Sequence, residues 1–178
     1  MRIAECTLHS RYALVNAGCK PHSELEQKEL TRAKNTTYRS LAIRPRSRAE
    51  IENKLRDKAF PALVIETVME HLLRLGYIDD RKFAAQWAAS RARLRGYGRR
   101  RIEQELRQKG VNRETIQEAL NEAVPLEDER ETARKIAEKK HRTMKSAEPE
   151  ARKRRLAGFL ERKGFPHEII WDILRTVS

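Results

Sequence analysis

The sequence predicts an all-α protein: three tandem three-helix repeats forming an elongated curved rod, with a poorly structured N-terminal extension. Three observations predict it. Helix-friendly residues dominate, and no stretch alternates apolar and polar positions with a period of two. Several of the seven glycines and six prolines punctuate helical patterns. A block then recurs three times: SRAEIENKLRDKAFP at 47–61, GRRRIEQELRQKGVN at 98–112, and RKRRLAGFLERKGFP at 152–166. The hydrophobic fraction is 39% with 6% aromatics, enough for thin cores but not for one large globule.

Taken in order, residues 1–35 are mixed and weakly periodic and hold both cysteines. They read as a flexible extension, in which 23–34 has the composition of a short polar helix without a packed face. Each repeat then opens with a helix, predicted at 36–44, 80–94 and 127–140. Asp79 and Asp80 suit the start of the second of these, as an N-cap beside the positive end of the helix. The middle helices come from the repeated block. Ile51, Ile102 and Leu156 share a slot, and Leu55, Leu106 and Leu160 follow four residues later on the same face. Ala59, Gly110 and Gly164 occupy the turn, where glycine suits a left-handed C′ position, followed by Phe60, Val111 and Phe165. Pro61 and Pro166 suit the first turn of the third helices, whose inner face is Ile65, Ile116 and Ile170 with Met69, Leu120 and Leu174. The units are expected to span 36–79, 80–124 and 125–178. Each has a narrow apolar stripe and must lean on its neighbours.

Charge points to the partner. Lys and Arg number 39 against 26 Asp and Glu, a net charge of +13, which favours a polyanionic surface. Residues 90–113 and 139–163 each carry +7 and residues 34–60 carry +5, whereas 114–138 come to −5. The positive segments are the first two helices of each unit and the loop joining them. A helix-turn-helix reader would place its post-turn helix in the major groove. Here that helix is neutral or acidic, so phosphate would repel it. Six arginines in eleven residues, Arg91, Arg93, Arg95, Arg99, Arg100 and Arg101, have few acids nearby and read as a binding cluster. Tyr97, between two glycines, offers a ring that either stacks on a base or packs between helices.

No catalytic constellation is present and no cofactor is expected. His71, His141 and His167 are scattered, with no nucleophile in company. Cys6, His9, Cys19 and His22 form two C-x2-H pairs that could close a tetrahedral zinc site, with chance pairing as the alternative. Two cysteines give no disulfide framework, and Glu5, His9 and Arg11 interrupt any apolar leader, so a cytoplasmic protein is expected. No run reaches the roughly 18 apolar residues of a membrane span.

Residues 37–177 resemble the RecX family, the regulators of the RecA recombinase. The resemblance is carried by PRSRAEIENKL at 45–55, LGYIDDRKF at 75–83 and, most strongly, SRARLRGYGRRRIEQELRQKG at 90–110, with FLERKGF at 159–165 matching more weakly. It implies a non-enzymatic, monomeric regulator that binds RecA–single-stranded DNA filaments in their helical groove. Such a regulator lowers RecA's recombinase, ATPase and coprotease activities in DNA repair and the SOS response. The contact region implied is Arg91, Arg93, Arg95, Tyr97, Arg99, Arg100, Arg101, Arg107 and Lys109, with Arg152, Lys153, Arg154 and Arg155 in the third unit. Residues 1–35 depart from the family, and their Cys/His pairs are not a family feature. A non-specific architectural protein that tracks the DNA backbone is the competing reading.

Overall fold

The computed structural model describes residues 24–144 and 148–176. Among the described residues nine helices follow one another without a strand. They are α1 (Glu24–Ile43), α2 (Arg48–Asp57), α3 (Ala62–Arg74), α4 (Asp80–Arg95), α5 (Arg99–Gln108), α6 (Arg113–Ala123), α7 (Leu126–Arg142), α8 (Pro149–Lys163) and α9 (His167–Thr176). They pack in threes in chain order, α1–α3, α4–α6 and α7–α9. The paired leucines and isoleucines of α2, α5 and α8 are the centres of these units: Leu55, Ile102, Leu106 and Leu160 are 0% exposed. Phe60, Val111 and Phe165 close each core from the turn, and Ile65, Ile116 and Ile170 close it from the third helix. Leu174 lies at the margin of its cluster, only partly buried.

One expectation is corrected. The first helix does not begin near residue 36. It runs unbroken from Glu24, because Ala33 and Leu30 pack on the first core and give residues 24–34 an inner face. The zinc quartet, Cys6, His9, Cys19 and His22, lies outside the described residues. The buried apolar residues fall into three clusters. Each unit has its own cluster, and the units meet through hydrogen bonds and ion pairs together with close packing, such as that of Ile136 on α7 against Gly96.

Those joints repeat. At the first, Ser47 Oγ donates to the carbonyl of Lys109 at 2.6 Å, and the first free N–H of α2, on Arg48, donates to Asp80 Oδ1 at 2.8 Å. At the second, Gly98 N donates to the carbonyl of Lys163 at 2.8 Å, and the first N–H of α5, on Arg99, donates to Glu129 Oε1 at 2.8 Å. In both, the middle helix of one unit is capped by an acid from the next, answering donors that a helix cannot satisfy itself. These bonds, with those from Lys109 to Glu50 and from Lys163 to the Arg95 carbonyl, join consecutive units.

Candidate functional site

The arginine cluster divides into side chains that hold the fold and side chains that face solvent. Glu105 on α5 is the anchor of the first group. It accepts Trp87 Nε1 at 3.0 Å and Arg91 Nε at 2.8 Å, and it also pairs with Arg101 at 3.5 Å. Arg91 lies 4.1 Å above the Trp87 ring, whose other neighbour is Lys109 Nζ at 4.3 Å. Lys109 also reaches back to Glu50 at 3.0 Å. Arg99 spans to the end of α6, donating to the carbonyls of Leu120 and Val124 at 2.9 and 2.6 Å and to Asn121 Oδ1 at 2.7 Å. Thus the shortage of acids near these arginines in sequence does not hold in space, since one glutamate serves two of them and helix-end carbonyls serve a third.

Tyr97 is half-buried against the second core. Lys163 Nζ stands 5.0 Å from its ring and Arg101 5.7 Å, so the packing alternative describes it. Arg107 pairs with Glu103 one turn away and Lys153 with Glu150. Arg152 turns its Nε inward without an acceptor. Arg93, Arg95, Arg100, Arg154 and Arg155 are exposed, and none has a carboxylate within ion-pair distance among the described residues.

Arg100 and Arg101 form one wall of a groove of about 370 Å³ at the joint between the second and third units. Arg162 and His167 face them, with Gln104 and Glu161 completing it. The sequence reading placed His167 among scattered histidines and Arg162 only within the basic 139–163 segment; both join Arg100 and Arg101 in this groove, on either side of the turn at Gly164. Beneath the groove, burial lowers the Lys163 pKa, with the Arg95 charge adding to it, and the ammonium donates to the Arg95 carbonyl at 2.6 Å.

The acids at the two joints behave oppositely. Burial would raise Glu50, but hydrogen bonds from Arg44, Lys109 and Ser47 N outweigh it and hold its pKa at about 2. Glu129 is 1% exposed, and burial pushes its carboxyl up despite the Arg99 N–H and the charges of Arg99 and Arg100. The depressed Glu50 therefore contributes stability that is complete above the ordinary carboxylate value near 4.3 and is lost as pH falls toward 2. Raised Glu129 does the reverse, and its ionisation weakens the fold as pH rises through its folded pKa. Glu129→Gln keeps the amide oxygen as acceptor and is expected to gain stability over the parent between pH 4 and pH 7 in urea unfolding. An equal difference at both values would show that the charge does not matter there.

The arrangement can do electrostatic and hydrogen-bonding work along consecutive units. No group of three or more His, Cys, Asp or Glu able to hold a metal occurs among the described residues, nor does a helix long and apolar enough to cross a membrane. Family comparisons then match this architecture unit by unit: the RecX first three-helix domain over residues 33–72, the second over 79–120 and the third over 127–174. The chain belongs to the RecX family. It is 36% identical over 160 residues to the regulatory protein RecX of Mycolicibacterium smegmatis, covering 86% of this chain and 85% of that one. To the RecX of Chlorobaculum tepidum it is 37% identical over 153 residues, covering 86% and 92%. A RecX crystal structure from Lactobacillus salivarius superposes with a TM-score of 0.73 at 22% identity, over 85% of this chain and 97% of that one, which shows the shared fold. A second RecX crystal structure gives 0.73 at 25% identity, over 85% and 74%. This RecX-family chain is thus a regulatory protein built from helical repeats.

Proposed function

We propose that this protein binds RecA filaments on single-stranded DNA and inhibits RecA's recombinase, ATPase and coprotease activities, acting as a binding protein and not as an enzyme. The observation that carries this is a set of exposed cations without carboxylate partners among the described residues, Arg93, Arg95 and Arg100 on the second unit and Arg154, Arg155 and Arg162 on the third, of which Arg100 and Arg162 line the groove at the joint. Guanidinium groups in that setting suit phosphate oxygens and carboxylates alike, and a nucleoprotein filament presents both. Contacts spread over consecutive units suit an elongated partner better than a compact one.

The test is RecA's ATPase rate on single-stranded DNA with this protein added well below RecA's concentration. A progressive fall is expected, weakened in Arg95→Ala/Arg100→Ala. An unchanged rate, together with tight binding to bare DNA that weakens with a log–log salt slope of about −0.7 per phosphate contact, would instead establish a protein that coats the DNA backbone.

A further inference from the structure

The two tryptophans stand in opposite situations. Trp87 has every face engaged: its ring stacks on Phe83 at 5.7 Å, two cations cover it, and its Nε1 donates to Glu105. Trp171 on α9 is 63% exposed and takes part in no ring, cation or hydrogen-bond contact among the described residues. It stands beside the stripe of Ile169, Ile170 and Ile173 that faces the third core, one residue off it, so the helix turns the indole outward. A lone exposed aromatic needs no explanation. This one lines a groove of about 670 Å³ between α8 and α9, with Ala157 and Ile170 as apolar floor and Arg154 and Arg175 among its cations.

The charges in that groove select its occupant. Glu150 is paired with Lys153 at 3.5 Å and Glu161 lies 3.7 Å from His167. Asp172, next to the indole, pairs with Arg130 on α7. Arg154 and Arg175 have no carboxylate partner among the described residues, and α8 carries four consecutive cations at 152–155. A flat, unoccupied π-face flanked by guanidinium groups fits an alternation of flat ring and anion. That is the chemistry of an unpaired nucleotide, whose base stacks while its phosphates lie along basic side chains.

We infer that Trp171 is a stacking platform for one base of a single-stranded nucleic acid, with Arg154 and Arg175 against the adjoining phosphates. This rests on the proposed function for the source of the strand. It adds an aromatic contact on the third unit, in a groove that shares Glu161 and His167 with the one at the joint.

The experiment compares binding of the full chain to a thymidine oligomer and to an oligomer of equal length and charge built from abasic residues. Both are measured by fluorescence anisotropy at one salt concentration, alongside the RecA ATPase assay. The base-bearing strand is expected to bind about tenfold more tightly, within the range of a single aromatic–base stack. Trp171→Ala should abolish that preference while leaving affinity for the abasic strand unchanged, and Trp171→Phe should keep part of it. Equal binding of the two strands by the parent, or a preference that survives Trp171→Ala, overturns the inference. So does a Trp171→Ala variant that loses filament inhibition with its base preference intact, because the groove would then hold a protein segment. RecA inhibition in the parent without base preference sinks this inference alone, whereas base preference without RecA inhibition sinks the proposed function and leaves the platform standing.

Discussion

Arg99→Ala is expected to destabilise the second unit by about 2–3 kcal/mol, whereas Arg100→Ala, one residue on, stays within about 0.5 kcal/mol of the parent. The two arginines are adjacent, equally charged and alike in sequence context. Their side chains leave α5 about 100° apart. That of Arg99 falls on the end of α6, where its forked donors meet the carbonyls of Leu120 and Val124 and the side-chain oxygen of Asn121. The Leu120 carbonyl already accepts the Val124 N–H at 2.9 Å, so Arg99 gives it a second donor, gives the Val124 carbonyl another, and places a cation at the negative end of the helix. Truncation removes charge-assisted bonds that contribute about 1.5–3 kcal/mol each, partly restored by water because the side chain is half-exposed. Arg99→Lys should recover only part, since one ammonium cannot span three acceptors. Arg100 touches none of these groups. Urea unfolding followed by circular dichroism measures both. An unshifted midpoint in Arg99→Ala would mean that the clasp on α6 contributes nothing.

The same contrast decides how binding experiments should be designed. Removing Arg99, Arg100 and Arg101 together would mix a fold defect with a lost contact. Arg95 and Arg100 are the cleaner probes, because their side chains have no carboxylate partners to lose among the described residues.

Much of the fold was legible because it is periodic. The recurrence of Ile51, Ile102 and Leu156, with leucines four residues later, located three cores before any contact was known. The left-handed turns at Gly110 and Gly164 followed from residue type. The start of α1 was not legible. Only Leu30 and Ala33 mark its inner face within an otherwise polar segment, too few to stand out against a charged background. The site was harder still. Composition finds the arginines but cannot say which are spent on the fold, because that depends on partners far away in sequence: Glu105 for Arg91 and the end of α6 for Arg99. Glu50 and Glu129 are likewise ordinary until Lys109 and Arg99 arrive from another unit. The repeat also hid its own seams. Apolar stripes suggest units leaning on one another, but the caps and backbone bonds that help to make the joints leave no trace in hydrophobic patterning.

Those joints explain why one slot of the repeat holds Ala59 in the first unit but glycine in the others. All three residues have positive φ, +57° at Ala59, +72° at Gly110 and +88° at Gly164, so alanine is strained at each. In the second and third units a further demand is added. A Cβ on Gly110 would stand 2.3 Å from Ala49 Cβ, and one on Gly164 would stand 2.4 Å from the Arg101 backbone nitrogen. The turn of each later unit lies against the middle helix of the unit before it, while Ala59 in the first turn is exposed among the described residues. Gly164→Ala is therefore expected to cost about 3 kcal/mol or more, combining backbone strain with separation of the joint. Separation breaks the bonds from Gly98 N to the Lys163 carbonyl and from Lys163 Nζ to the Arg95 carbonyl. Hydrogen exchange gives the specific readout. The Gly98 and Arg99 amides, protected only across the joint, should lose protection in the variant, while amides around Leu106 and Leu160 within the separate cores keep theirs. Ala59→Gly should move the other way, stabilising the first unit by about 0.5–1 kcal/mol by relieving the strain of a positive φ at an exposed position. If Gly98 stays protected in Gly164→Ala, the two helices accommodate a methyl group and the glycine is there for its φ alone.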